Sequence, residues 1–178
     1  GLAEINSVKM IEHVLAVAKK VSDNIIIVSN NNAYDYLGLP VYEDIIKDCG
    51  PIGGIYTGLI NSQTDCNFVV ACDMPFVSET LVQKLQEHIN QYNVVVPVVD
   101  NHLEPLCALY NKSIIKDLKQ AIENKEYSVH KTLKKVKYKQ VDFPANTTYF
   151  GNINSPDDLK KYTIMTIHVL YFGVLTQV

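Results

Sequence analysis

The sequence predicts an α/β domain, a central and mostly parallel β-sheet with helices on both faces. Three short apolar runs carry that expectation, at 25–28, 68–72 and 94–97. Each has the composition of a strand buried on both faces of a parallel sheet. The stretches between them place apolar residues at helical spacing, so strands and helices alternate along the chain. The three runs are expected to lie side by side at the centre of the sheet.

Length and composition allow one domain: 178 residues, 47% of them hydrophobic, bury a substantial core. The net charge of −3 gives no broad basic surface for nucleic acid or an anionic membrane. All 16 basic residues are lysine, so any bound anion is held by lysine, backbone N–H groups or metal, without the guanidinium fork. Cys49, Cys66, Cys72 and Cys107 show no paired spacing. Their pattern is that of reduced, buried thiols, and a cytoplasmic protein is expected. The sequence has no signal peptide, no long apolar span and no low-complexity segment.

In chain order, residues 1–6 read as a stub without an initiator Met, and Ser7 is expected to start a helix with Ile11, Val14, Leu15 and Ala18 on one face. The Ile25–Val28 strand ends in Ser29, Asn30, Asn31 and Asn32. Asn30 and Asn31 are either turn formers or amides that grip a base or ribose. A short helix at 33–37 and a strand at 40–42 follow, closing on Glu43 and Asp44. Gly50, Pro51, Gly53 and Gly54 then form a loop entering a helix, where small residues allow phosphate or sugar to approach free N–H groups. Any tight turn into a helix has use for the same glycines.

The run Phe68-Val69-Val70-Ala71-Cys72 closes on Asp73, and Met74-Pro75 ends the strand. A carboxylate at the carboxyl end of a buried parallel strand stands where open α/β sheets bind ligands. The competing role, capping the next helix, suits Ser78 better, because Glu79, Leu81, Val82 and Leu85 follow it. A buried charge is normally paired or metal-bound, so Asp73 is expected to hold a divalent metal. Beyond it come a helix at 78–90, a strand at 94–97, an antiparallel edge element at 103–110 and a helix at 113–121. His102 reads as a turn or surface residue. Lys131, Lys134, Lys135, Lys137 and Lys139 read as a solvated helix face, or as a patch that steers phosphate-bearing substrates. Ser155 caps a last helix with Pro156 at its first position. Asn152 and Asn154 are turn residues or amide ligands for a heteroaromatic substrate.

The stretches Gly50-Pro51-Ile52-Gly53-Gly54-Ile55, Val70-Ala71-Cys72-Asp73-Met74-Pro75-Phe76, Pro105-Leu106-Cys107-Ala108-Leu109-Tyr110 and Asn152-Ile153-Asn154-Ser155-Pro156-Asp157-Asp158-Leu159 together resemble molybdenum cofactor guanylyltransferase. The resemblance covers residues 1–162 and implies a Rossmann-like nucleotidyltransferase fold. It implies transfer of GMP from GTP to molybdopterin with release of pyrophosphate. By it Asp73 is the catalytic residue and holds Mg²⁺. Asp44 and the loop of Gly50, Pro51, Gly53 and Gly54 contact guanosine, Asn30 and Asn31 lie near the base, and Asn152 and Asn154 face molybdopterin. It implies molybdoenzymes or other cofactor-biosynthesis proteins as partners, and neither nucleic acid nor membrane.

Two departures qualify this. The family begins with a strand and a glycine-rich phosphate loop, and this sequence starts where that loop ends. Activity is therefore expected of the complete protein and not of the chain as printed. After residue 162, Met165 reads as an internal start. Residues 163–178 resemble the first strand of a ubiquitin-like molybdopterin synthase small subunit, and read otherwise as an edge strand or tail. Two other readings stand beside guanylyl transfer: the same chemistry with CTP or a sugar phosphate, and a non-catalytic domain that docks the cofactor.

Overall fold

The computed structural model describes residues 2–5, 7–144 and 150, and the backbone of 175–177. The chain opens with a small hairpin, β1 (Glu4–Ile5) and β2 (Val8–Lys9), before helix α1 (Met10–Val21). Ser7 therefore does not start a helix. It holds φ +64° in the turn between the two strands, a left-handed position that opposes helix initiation. The helix starts at Met10 instead, where the Lys9 N–H donates to Glu12 Oε2 at 3.4 Å.

Strand β3 (Ile25–Val28) follows, then a 3₁₀ turn at Asp35–Leu37 and strand β4 (Val41–Tyr42). Helix α2 (Pro51–Asn61) has proline at its first position, where a missing N–H costs no hydrogen bond. Next come β5 (Cys66–Val70) and α3 (Glu79–Gln86), capped by the Ser78 hydroxyl, which accepts from the Leu81 N–H at 3.1 Å. The helix expected to reach residue 90 stops at Gln86, and a separate 3₁₀ turn covers Ile89–Gln91. Strands β6 (Val94–Val99), β7 (His102–Leu103) and β8 (Cys107–Asn111) precede α4 (Ile115–Glu123), α5 (Val129–Leu133), β9 (Tyr138–Asp142) and β10 (Leu175–Gln177).

The main sheet has the order β4-β3-β10-β5-β8-β6-β7, with β9 on the other edge of β6. Strands β3, β4, β5, β6 and β9 point one way, and β7, β8 and β10 the other. The sheet is mostly parallel in direction, as expected, but β3, β5 and β6 are not neighbours. Strand β10 separates the first two and β8 the last two. An apolar antiparallel strand is as fully buried here as a parallel one: Cys107, Ala108, Leu109 and Tyr110 are all inaccessible. The expected antiparallel pairing is present, with β7 at the end of the strand order, but 107–110 forms the interior strand β8.

Helices cover both faces. Val14 and Leu15 of α1 and Leu81 and Leu85 of α3 pack with Ile25, Ile27 and Phe68 on one side. Ile52 and Leu59 of α2, Leu118 of α4 and Leu133 of α5 pack with Ile26, Val69 and Val94 on the other. Alternate residues of β3 and β5 thus enter opposite layers, as the two-residue strand period demands.

The lysine cluster is not one helix face. Lys131 and Lys135 pair with Glu126 at 3.5 and 2.5 Å, while Lys137 and Lys139 flank and enter β9. The Lys137 ammonium stands 5.0 Å from the centre of the Tyr92 ring. Asn152, Asn154, Ser155 and residues 163–174 lie outside the described residues.

Candidate active site

The carboxyl ends of β3 and β5 and the first turn of α2 surround a cavity of about 340 Å³. Ser29, Asn31 and Tyr34 come from the turn after β3, Pro51 and Gly54 from α2, and Cys72 from the end of β5. The strand itself stops at Val70, because from there the chain bends: the Met74 N–H donates to the Ala71 carbonyl at 3.3 Å. A second cavity, of about 220 Å³, lies on the other side of this bend and is lined by Asp73, Met74, Leu103, Glu104, Pro105 and His130. Ala71 and Leu106 line both. Consecutive residues thus face different spaces, Cys72 the larger cavity and Asp73 the smaller.

The divider is held firmly. The Ala71 N–H donates to the Leu106 carbonyl at 2.8 Å, the Glu104 N–H to Pro97 at 3.0 Å and the Cys107 N–H to Glu104 at 3.0 Å. The fully buried Tyr110 hydroxyl donates to the Pro105 carbonyl at 2.7 Å. These bonds fix the strap 104–107 against the end of β5.

Asp44 and Asn30 form a reciprocal pair. Asn30 Nδ2 donates to Asp44 Oδ2 at 2.7 Å, and the Asp44 N–H donates to Asn30 Oδ1 at 2.9 Å. Asp44 Oδ1 is buried with no hydrogen-bond partner among the described residues. A Cβ placed on Gly53 or Gly54 would stand 4.0 or 3.9 Å from it. The carboxylate therefore lies over the first turn of α2, where the helix dipole favours negative charge. Thr57, fully buried on the same helix, accepts the Ile45 N–H at 2.9 Å and ties the loop down. Gly50 holds φ +62° and ψ −150°, a backbone conformation that only glycine adopts easily.

The structure thus brings Asn30, Asp44, Gly50, Pro51, Gly53 and Gly54 together, with Asn31, Pro51 and Gly54 on the wall of the larger cavity. Asn30 is committed to Asp44 instead of pointing at a free space. With Oδ2 engaged and Oδ1 buried, Asp44 in this arrangement organises the loop more directly than it offers two open acceptors.

Sequence reasoning missed Tyr34, Glu104 and His130. Burial, and after it the neighbouring Cys72 thiol to which Tyr34 is hydrogen-bonded, push the Tyr34 phenol up to about 12, so it remains a neutral hydrogen-bonding group. Burial raises Glu104 above the usual carboxylate range, and His102 nearby pulls it partly back. The signal for Glu104 was a carboxylate in the short link between two strands, three residues before the apolar β8. Nothing local marked Tyr34 or His130.

Asp73 Oδ1 is buried and has no hydrogen-bond partner among the described residues. Among them, no group of three or more His, Cys, Asp or Glu side chains converges as a metal cage. One carboxylate of this kind fits a hard cation that keeps most of its shell as water and substrate oxygens. Neither cavity is lined by lysine among the described residues. All four cysteines are free thiols, Cys107 raised well above its ordinary value by burial. No helix among the described residues is long and apolar enough to cross a membrane.

The family model of the MobA-like NTP transferase domain matches residues 1–140. The chain belongs to this family. A relative from Flavobacterium johnsoniae, named probable molybdenum cofactor guanylyltransferase, is 31% identical over 166 residues, 92% of this chain and 87% of its own. Molybdopterin-guanine dinucleotide biosynthesis protein A of Archaeoglobus fulgidus superposes with a TM-score of 0.71 at 22% identity, covering 92% of this chain and 88% of its own. The 2-C-methyl-D-erythritol 4-phosphate cytidylyltransferase of Thermus thermophilus superposes with a TM-score of 0.73 at 15% identity, covering 92% of each chain. These two likenesses establish the Rossmann-like nucleotidyltransferase fold. As a member of the MobA-like family the protein is an enzyme of the nucleotidyltransferase type, and the resemblance read from its sequence is to the same family.

Proposed function

We propose that the domain transfers GMP from GTP to the terminal phosphate of molybdopterin, forming the guanine dinucleotide cofactor and pyrophosphate. The observation that carries this reading is the division of the site by Ala71 and Leu106 into two cavities, with Cys72 on the larger and Asp73 on the smaller. A transfer between two substrates needs two subsites that open on one reacting centre. The larger cavity takes the nucleoside: Asn31 and Ser29 offer polar contacts, and Pro51 and Gly54 let a sugar approach α2. Asp44 already sits over that helix end, so a neutral ribose or base edge fits there better than a second anion.

In the reaction an acceptor phosphate oxygen attacks the α-phosphorus in line. The new P–O bond forms as the bond to the bridging oxygen breaks, and pyrophosphate leaves with the electron pair. No covalent enzyme intermediate is required. Asp73 would hold Mg²⁺, which when bound neutralises charge on the phosphates. The Ala71–Leu106 wall keeps the substrates apart except where they react, so catalysis rests on positioning and charge neutralisation.

Asn152 and Asn154 are proposed to contact molybdopterin, on the resemblance alone. The test is pyrophosphate release by the complete protein with molybdopterin and Mg²⁺, comparing GTP, CTP and ATP. Release from GTP that requires molybdopterin supports the reading. Preference for CTP would move it to cytidylyl transfer.

A further inference from the structure

We propose that the smaller cavity is the site of the acceptor's bicyclic pterin, and that Glu104 selects it by accepting from its adjacent N–H donors. This rests on the transfer reading above and names a residue for it. The cavity of about 220 Å³ has Met74, Leu103, Pro105 and Leu106 as apolar lining and Asp73, Glu104 and His130 as its ionisable groups. Its size suits one ring system, not a whole nucleotide-sized ligand.

Glu104 is half-buried, and its side chain makes no hydrogen bond among the described residues. Its backbone, in contrast, is pinned through Pro97 and Cys107, so the carboxylate is presented from a fixed point. A carboxylate has acceptors only and is worth keeping half-buried where a ligand brings donors. The 2-amino-4-oxopyrimidine edge of a pterin supplies an amide N–H beside an amine, a pair that one carboxylate accepts through two parallel hydrogen bonds. Flat rings also suit the apolar walls. Asp73 on the same cavity places the far, phosphate-bearing end of such a ligand toward the reacting centre.

Guanine carries the same edge, so the experiment separates the two sources. The complete protein is titrated with 6-hydroxymethylpterin, read by its fluorescence, and separately with GMP. The expected result is saturable pterin binding, weakened at least tenfold in Glu104→Gln, which presents a donor to a donor, with GMP affinity unchanged. Glu104→Asp, which keeps the charge, should retain part of the pterin affinity, and Leu103→Trp should block the cavity without altering its charge. Absence of saturable pterin binding, unchanged affinity in Glu104→Gln, or loss of GMP in place of pterin would overturn the proposal. Pterin binding lost in Glu104→Gln in a protein that releases no pyrophosphate from GTP would support the cavity assignment while contradicting the transfer reading.

Discussion

The Ala71 N–H donates to the Leu106 carbonyl at 2.8 Å, and these two residues are the partition between the two cavities of the site. The bond continues the antiparallel pairing of β5 with β8, in which Val70 faces Cys107, by one step beyond the strand. The sheet therefore ends in a wall, and the chain bends past it to place Cys72 and Asp73 on opposite sides.

Removing that wall should damage both subsites together. Leu106→Ala takes away a half-buried side chain, and should cost about 1–2 kcal/mol, below the range for a fully buried leucine. The main effect should be kinetic, with KM rising for nucleotide and acceptor alike. Thermal melts and two-substrate kinetics check this.

Gly53→Ala should act through packing. A Cβ there would lie 3.1 Å from Cys49 Cβ and 3.1 Å from the Ile46 carbonyl, within reach of Asp44 Oδ1. Backbone cannot give way as a flexible side chain can, so the loop must shift, at about 1–3 kcal/mol. Denaturant unfolding should show the loss, with weaker nucleotide binding beside it.

The places of Asp73 and of the start of α2 at Gly50-Pro51 were legible in the sequence because their signals are local. An apolar run followed by Asp73-Met74-Pro75 leaves the carboxylate just past the carboxyl end of β5, although the strand stops at Val70 and not at Met74-Pro75. Proline at the first helical position marks where α2 begins. The helix cap at Ser78 was legible for the same reason. The insertion of β8 between β5 and β6 was not, since 107–110 reads as equally apolar in either place and pairing partners are set by contacts far apart in sequence. Asn30 and Asp44, fourteen residues apart, showed as two polar residues after two strands, with nothing local to show that they hold each other. Glu104 stayed unnoticed because its meaning depends on the strap folding over Asp73.

Glu104 also gives the protein a pH signature. Its folded-state pKa is raised by burial, so in the carboxylate range the unfolded chain loses this proton before the native one does. Stability contributed at this position falls as pH rises through that window. Glu104→Gln cannot ionise and should escape the loss. Melts from acid to neutral pH should show the variant gaining on the wild-type protein as pH rises, with its full advantage above the raised pKa. A constant difference across the range would remove the buried carboxylate from the account.

Asp73 carries the central claim, and its isosteric change tests it most directly. Asp73→Asn keeps the shape of the bend after β5 and removes the charge on the smaller cavity, so the fold should persist. The measurement is pyrophosphate release from GTP in the complete protein, with molybdopterin present and Mg²⁺ titrated. Metal polarisation supplies several kcal/mol in such reactions, and a tenfold change in rate corresponds to about 1.4 kcal/mol, so a loss of roughly 10²-fold with a weakened Mg²⁺ dependence is expected. A folded Asp73→Asn protein with unchanged turnover and unchanged metal dependence would contradict the account.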